Sequence, residues 1–223
     1  MVDYPTIAIT AGDPCGIGPE VVLKALRTRP STPRVRLVVI GDHTVFEETA
    51  SRQRIRLPSW EVVPLKQGLA HPARRLVFLD CDHRQPFIPG RSSRDAGAAS
   101  LAYLDQAIAL WRAKRIGGLV TAPVTKWAMA RVAPTFVGQT EYLAHAMGAR
   151  HVLMMFISDH LRVALLTRHI PLSRVPRAIT PRLVETAVHL AAEALRRHFH
   201  IPHPRLALCG LNPHAGEASR CGS

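Results

Sequence analysis

Short apolar runs rich in β-branched residues alternate along this chain with segments of helical spacing, and Gly, Asp or Pro bounds most of the runs. That alternation confines the chain to an α/β layered fold, in which helices cover a sheet. Strands are expected at residues 6–11, 36–40, 61–65, 76–79, 118–122 and 206–209. Residues 152–157 and 161–167 flank Ser158-Asp159-His160 and read as a hairpin that would break an all-parallel sheet. Helices are expected from Gly18-Pro19-Glu20, over 44–54, after Asp95 through Lys114, over 142–147, and from Thr180-Pro181 to near Arg197. Residues 83–94 turn polar and rich in Pro, Gly, Ser and Arg, which places a crossing between lobes there and divides the chain into 1–93 and 94–223.

Charge needs a reason of its own, because 29 Lys and Arg against 16 Asp and Glu give a formal +13. The basic residues are scattered, with no stripe interleaved with aromatics and no known binding module, so a nucleic-acid partner is not expected. No run approaches the length of a membrane-spanning helix and no signal-peptide pattern opens the chain, so no membrane partner is expected and a cytoplasmic location is. Cys15, Cys81, Cys209 and Cys221 lie far apart without a CxxC pair and read as reduced thiols.

Chemistry concentrates where apolar strands end. The loop Gly12-Asp13-Pro14-Cys15-Gly16-Ile17-Gly18 joins a strand to a helix, yet it departs from GxGxxG and its two flanking prolines remove donors. It reads as a tight turn or as a ligand loop. Lys126 follows an apolar strand on a loop, where an ammonium either meets a phosphate or carboxylate or is simply solvated. Gln139 and Thr140 precede a short helix; Thr140 is either its N-cap or part of an anion site. His169 and His214 each stand just past an apolar run, as metal-ligating imidazoles or hydrogen-bonded structural residues. His198, His200 and His203 close a basic helix and read as solvated.

Several of these segments together resemble the 4-hydroxythreonine-4-phosphate dehydrogenase family of vitamin B6 biosynthesis: ITAGDPCGIGPEVVLKAL, GLVTAPVTK, FVGQTEYLA, VLMMFISDHLRVALLTRHIPL and LALCGLNPHAGE, in the family's order. The resemblance implies an α/β/α sandwich like that of isocitrate and isopropylmalate dehydrogenases, with two lobes around a cleft in a homodimer. It implies oxidation of a small phosphorylated substrate with NAD or NADP, then decarboxylation, assisted by a divalent metal (zinc, magnesium, manganese or cobalt). By the same carry-over His169 and His214 are metal ligands, and Gln139 and Thr140 occupy substrate-binding positions beside Lys126. No catalytic or cofactor-binding residue is assigned.

Two departures bear on this. The family motif has His where this chain has Gln139, and an amide cannot carry a proton at neutral pH. The family pattern also continues well past the segment matching His214 to Glu217, so the chain is expected to be truncated, its first lobe incomplete, and a third metal histidine and the nucleotide site missing. The rival expectations are a dehydrogenase of another four-carbon phosphorylated acid, such as a threonate or erythronate phosphate, and a non-catalytic remnant.

Overall fold

The computed structural model describes residues 5–28, 35–69, 74–83 and 85–215; Gly216, Glu217 and Cys221, drawn into the sequence reading, lie outside them. Five strands, β1 (Thr6–Thr10), β2 (Arg36–Gly41), β3 (Glu61–Pro64), β4 (Leu76–Asp80) and β5 (Gly118–Thr121), form one sheet in the order β3-β4-β2-β1-β5. Every pairing in it is parallel, with Ile7 opposite both Leu37 and Gly118. The α/β expectation thus holds with a parallel sheet. Central strands covered on both faces should be apolar throughout, and Val38, Val39, Ile40, Val77 and Phe78 are all fully buried.

Helices α1 (Gly18–Arg27), α2 (His43–Gln53) and α3 (Arg94–Arg112) cover this sheet. Helix α3 starts where the Ser93 Oγ accepts the Ala96 N–H, two residues before the expected start, and buries Ala96, Ser100, Tyr103, Leu104 and Ala107 along one stripe. Its Gly97 permits close approach to α4 (Lys126–Ala130), since a Cβ there would stand 2.2 Å from the Ala128 carbonyl oxygen. Phe46, Trp60 and Phe78 pack edge-on or tilted, with ring centroids 4.8 to 5.7 Å apart, beneath α2.

Contacts divide the chain into two units, Met1–Gly148 and Ala149–Ser223. The first unit runs past residue 93 because β5 pairs with β1 and α3 packs on β1 and β2. Helix α5 (Gln139–Ala146) closes it. The second unit holds a hairpin, β6 (Met154–Ile157) and β7 (Arg162–Leu165), then α6 (Val175–Ala178) and α7 (Pro181–Arg197). The hairpin is antiparallel as expected, but it forms its own two-stranded sheet and leaves the five-stranded sheet wholly parallel. Thr180 caps α7 by accepting the Leu183 N–H at 3.2 Å, and Ala187, Ala191 and Leu195 form its buried stripe. Residues 206–209, expected as a strand, form none: no ladder partner meets them among the described residues, and Leu206 and Leu208 are exposed. No described helix is long and apolar enough to cross a membrane.

Candidate functional site

The strand order identifies where a ligand site belongs. From β1 the chain moves outward to β2, β3 and β4, then returns to place β5 on the other side of β1. The carboxyl ends of β1 and β5 therefore flank the topological switch point, the crevice in which open parallel sheets bind ligands.

On the β1 side, residues 11–18 form a turn that is held by its own polar groups, with Asp13 Oδ2 left buried and unpaired. Asp13 is 1% exposed; its Oδ1 accepts the Cys15 N–H at 2.8 Å, and its own N–H donates to the Pro123 carbonyl at 3.0 Å. Gly12 adopts a left-handed φ of 75°, and a Cβ there would lie 2.3 Å from the Pro123 oxygen. Gly18 fits as closely, since its Cβ would lie 2.1 Å from the Ala11 oxygen. Of the two readings of this loop, these contacts favour the tight turn, locked against the turn that follows β5. Burial, reinforced by the Asp13 carboxylate, raises the Cys15 thiol pKa to about 11, so this cysteine is an inert packing group at neutral pH.

The β5 side carries three expected substrate residues. Lys126 opens α4 instead of lying on a loop, with Thr125 at the N-cap position. Helix α5 begins at Gln139, three residues before its expected start, with Gly138 as N-cap; Thr140 thus lies within the first turn and is not the cap. A Cβ built on Gly138 would be 3.8 Å from Lys126 Nζ, so the ammonium stands at the start of α5. Gln139 Nε2 donates to the Ala122 carbonyl at 3.3 Å, directly after β5, while its Oε1 is buried without a partner. Lys126 and Gln139 therefore meet at one strand end, with Thr140 next in the chain.

The expected metal ligands lie in the second unit. His169 follows β7 in a left-handed conformation with φ of 52°, and it is exposed. His214 is also exposed, and its backbone N–H donates to Asn212 Oδ1 at 3.0 Å. Among the described residues no three His, Cys, Asp or Glu side chains gather in a way that could hold an ion, and this includes His198, His200 and His203.

Sequence reasoning missed a buried network at the neighbouring strand ends. Asp42, directly after β2, is 1% exposed; it accepts the His83 N–H at 2.8 Å, lies 3.1 Å from His83 Nδ1, and receives the Tyr103 hydroxyl. Burial and the Asp42 carboxylate push the Tyr103 phenol far above its ordinary range. Burial, with Asp42 and Asp80 nearby, raises the Cys81 thiol to about 12. The network ties the segment after β4 to β2 and α3, and Gly90 N–H continues the fastening by donating to the Cys15 carbonyl at 2.7 Å. The one legible signal was a carboxylate placed directly after an apolar strand.

Comparison with known proteins gives this geometry a family context. Residues 34–223 match the family model described as pyridoxal phosphate biosynthetic protein PdxA. The 4-hydroxythreonine-4-phosphate dehydrogenase of a Synechococcus strain is 42% identical, across 100% of this chain and 65% of its own length. Among solved structures, a 4-hydroxythreonine-4-phosphate dehydrogenase from Burkholderia phymatum is similar at 31% identity and a TM-score of 0.81, over 99% of this chain and 67% of that one. The corresponding protein from Klebsiella pneumoniae gives 29% identity and a TM-score of 0.82, over 99% and 68%. The chain thus spans about two-thirds of the length of the relatives it matches.

Proposed function

The chain belongs to the PdxA family of pyridoxal phosphate biosynthetic proteins, and on that premise we propose that it serves as a 4-hydroxythreonine-4-phosphate dehydrogenase. The reaction is NAD- or NADP-dependent oxidation of the 3-hydroxyl of 4-phosphohydroxy-L-threonine, followed by loss of carbon dioxide to give 3-amino-2-oxopropyl phosphate. The observation that carries the reading is the meeting of Lys126 and α5 at the switch point. There an ammonium and the first turn of a helix come together beside the Glu141 carboxylate, a combination that can receive a phosphate ester. In this proposal Lys126 and the Thr140 hydroxyl hold the phosphate, and Gln139 orients the substrate without carrying its proton.

A divalent ion, when bound, would lower the alcohol's pKa and support negative charge on that oxygen during decarboxylation. His169 and His214 are its proposed ligands, imidazoles suited to zinc or cobalt better than to manganese, with magnesium the least suited. Two imidazoles fall short of the roughly three protein ligands that a catalytic ion keeps, so the described residues do not complete the site. The remaining elements of the proposal are a two-lobed, isocitrate dehydrogenase-like assembly, with 1–93 in the first lobe and 94–223 on the metal, substrate and dimer side, a homodimer, and a cytoplasmic location.

Turnover decides the matter. Purified protein given 4-phosphohydroxy-L-threonine, a nicotinamide and a divalent ion should form reduced nicotinamide and carbon dioxide in equal amounts. Turnover of 4-phosphoerythronate alone would assign it to the other substrate class, and no turnover of either would refute the enzymatic reading.

A further inference from the structure

A helix that follows a parallel strand runs back along the sheet, so α1 and α2 both end beside the amino ends of the strands, away from the switch point. Helix α1 alone, ten residues long, carries the chain about 15 Å from it. The two helices pack on each other, and at their far ends lies an open cleft of about 370 Å³. Leu26 and Arg27 of α1 line it, with Arg54, Arg56, Leu57 and Pro58 from the segment after α2. Among the described residues no carboxylate pairs with any of the three arginines. Like charges gathered round one cleft repel, and an anion between them removes that cost.

Arginines often serve only to complement helix carboxyl ends, but here the chain supplies its own donors. Thr28 Oγ1 donates to the Lys24 and Ala25 carbonyls, and the Arg54 and Ile55 N–H groups donate to Ser51 and Ala50 at 3.2 and 2.8 Å. Arg56 lies beyond the last turn, where the helix dipole has faded. Three guanidiniums exceed the roughly 1.5–2 negative charges of one phosphoryl group, so two linked phosphoryl groups match them better. Half-buried Leu26, Leu57 and Pro58 give an apolar wall for the rest of a small molecule. We infer that this cleft is a second binding site, selective for a small molecule that carries a diphosphate. A nicotinamide held here could not reach a substrate at the switch point, so the site is separate from the proposed catalytic one. A nucleic-acid strand would need a track of basic residues, whereas this cluster surrounds a single cleft.

The test is calorimetric binding of inorganic pyrophosphate to the 223-residue chain, with inorganic phosphate, adenosine diphosphate and a short single-stranded oligonucleotide as the other probes. Pyrophosphate should bind about tenfold or more tighter than phosphate, and R54G and R56Q should each weaken it by about tenfold. Arg54 has a left-handed φ of 53°, so glycine there removes the guanidinium while suiting the backbone, and R56Q provides a second variant independent of that conformation. R196Q removes an equal charge from exposed Arg196 on α7, and K126M removes the ammonium at the switch point; both should leave pyrophosphate binding unchanged. Tighter binding of adenosine diphosphate would identify an organic diphosphate as the ligand, and equal binding would identify the diphosphate group alone; either supports the site. Equal affinity for phosphate and pyrophosphate, undiminished binding in both R54G and R56Q, an equal loss in R196Q, a loss confined to K126M, or a preference for the oligonucleotide would overturn it. The K126M arm keeps this outcome distinct from that of the substrate reading.

Discussion

Replacing Gly12 with alanine tests the contact that joins the two turns of the switch point. The added Cβ meets two separate penalties. Gly12 has φ of 75°, and a non-glycine residue in the left-handed region costs about 1–2 kcal/mol. The methyl group would also lie 2.3 Å from the Pro123 oxygen, so the turns must part. Parting breaks the 3.0 Å bond from the buried Asp13 N–H to that same oxygen, a loss of about 1–3 kcal/mol for a donor left unpaired. Together these predict about 2–5 kcal/mol, a large share of the roughly 5–15 kcal/mol that stabilises a typical domain.

A built-in control separates the two penalties. Gly148, which follows α5, also has a left-handed φ, 67°, but nothing lies within 4 Å of its would-be Cβ, so Gly148→Ala should cost only the conformational part. Urea unfolding followed by tryptophan fluorescence suits the comparison, because Trp60, Trp111 and Trp127 all lie in the first unit. If Gly12→Ala destabilises no more than Gly148→Ala, the two turns do not depend on close approach at Gly12.

Further outcomes follow from the same structure. The Cys81 thiol is raised from 9.0 to about 12 in the folded protein, so its contribution to stability is complete below pH 9 and is lost as pH climbs towards 12; Cys81→Ala should flatten the alkaline fall in unfolding free energy, and an unchanged slope would refute it. Exposed Cys209 should react with a thiol reagent at neutral pH well before buried Cys15 and half-buried Cys81, as mapped by mass spectrometry; equal rates would contradict that ordering. If His169 and His214 hold an ion, His169→Ala and His214→Ala should each weaken zinc or cobalt binding by about tenfold or more in a competition titration with a chelator, and unaltered binding in either would remove that residue from the site.

The layered fold was legible because each of the five parallel strands is an apolar run with flanking breakers, and their bounds fall within a residue or two of expectation. Residues 206–209 show the limit of that signal: LALC has strand composition, but composition does not supply a neighbouring strand to pair with. The start of α5 was misplaced because Gln139 and Thr140 are polar and carry no periodicity, whereas Gly138 in an extended conformation is the effective cap. Lys126 and Gln139 were recognisable from their position after a strand and from family motifs. That they meet was not, nor were the buried unpaired oxygens of Asp13 and Gln139, since residue types do not reveal which hydrogen bonds go unmade. Asp42, His83 and Tyr103 are separated by 41 and 61 residues from Asp42 outward, and only the return of the chain along α3 brings them together.

The proposed function stands or falls on binding of the phosphorylated substrate at the carboxyl ends of β1 and β5. Titrating 4-phosphohydroxy-L-threonine into isotopically labelled protein and following backbone and side-chain amide resonances tests it most directly. Shifts should centre on residues 122–126 and 138–141, including the Gln139 side-chain amide, and should be lost in Lys126→Met. Shifts centred elsewhere, or shifts that survive Lys126→Met unchanged, would contradict it.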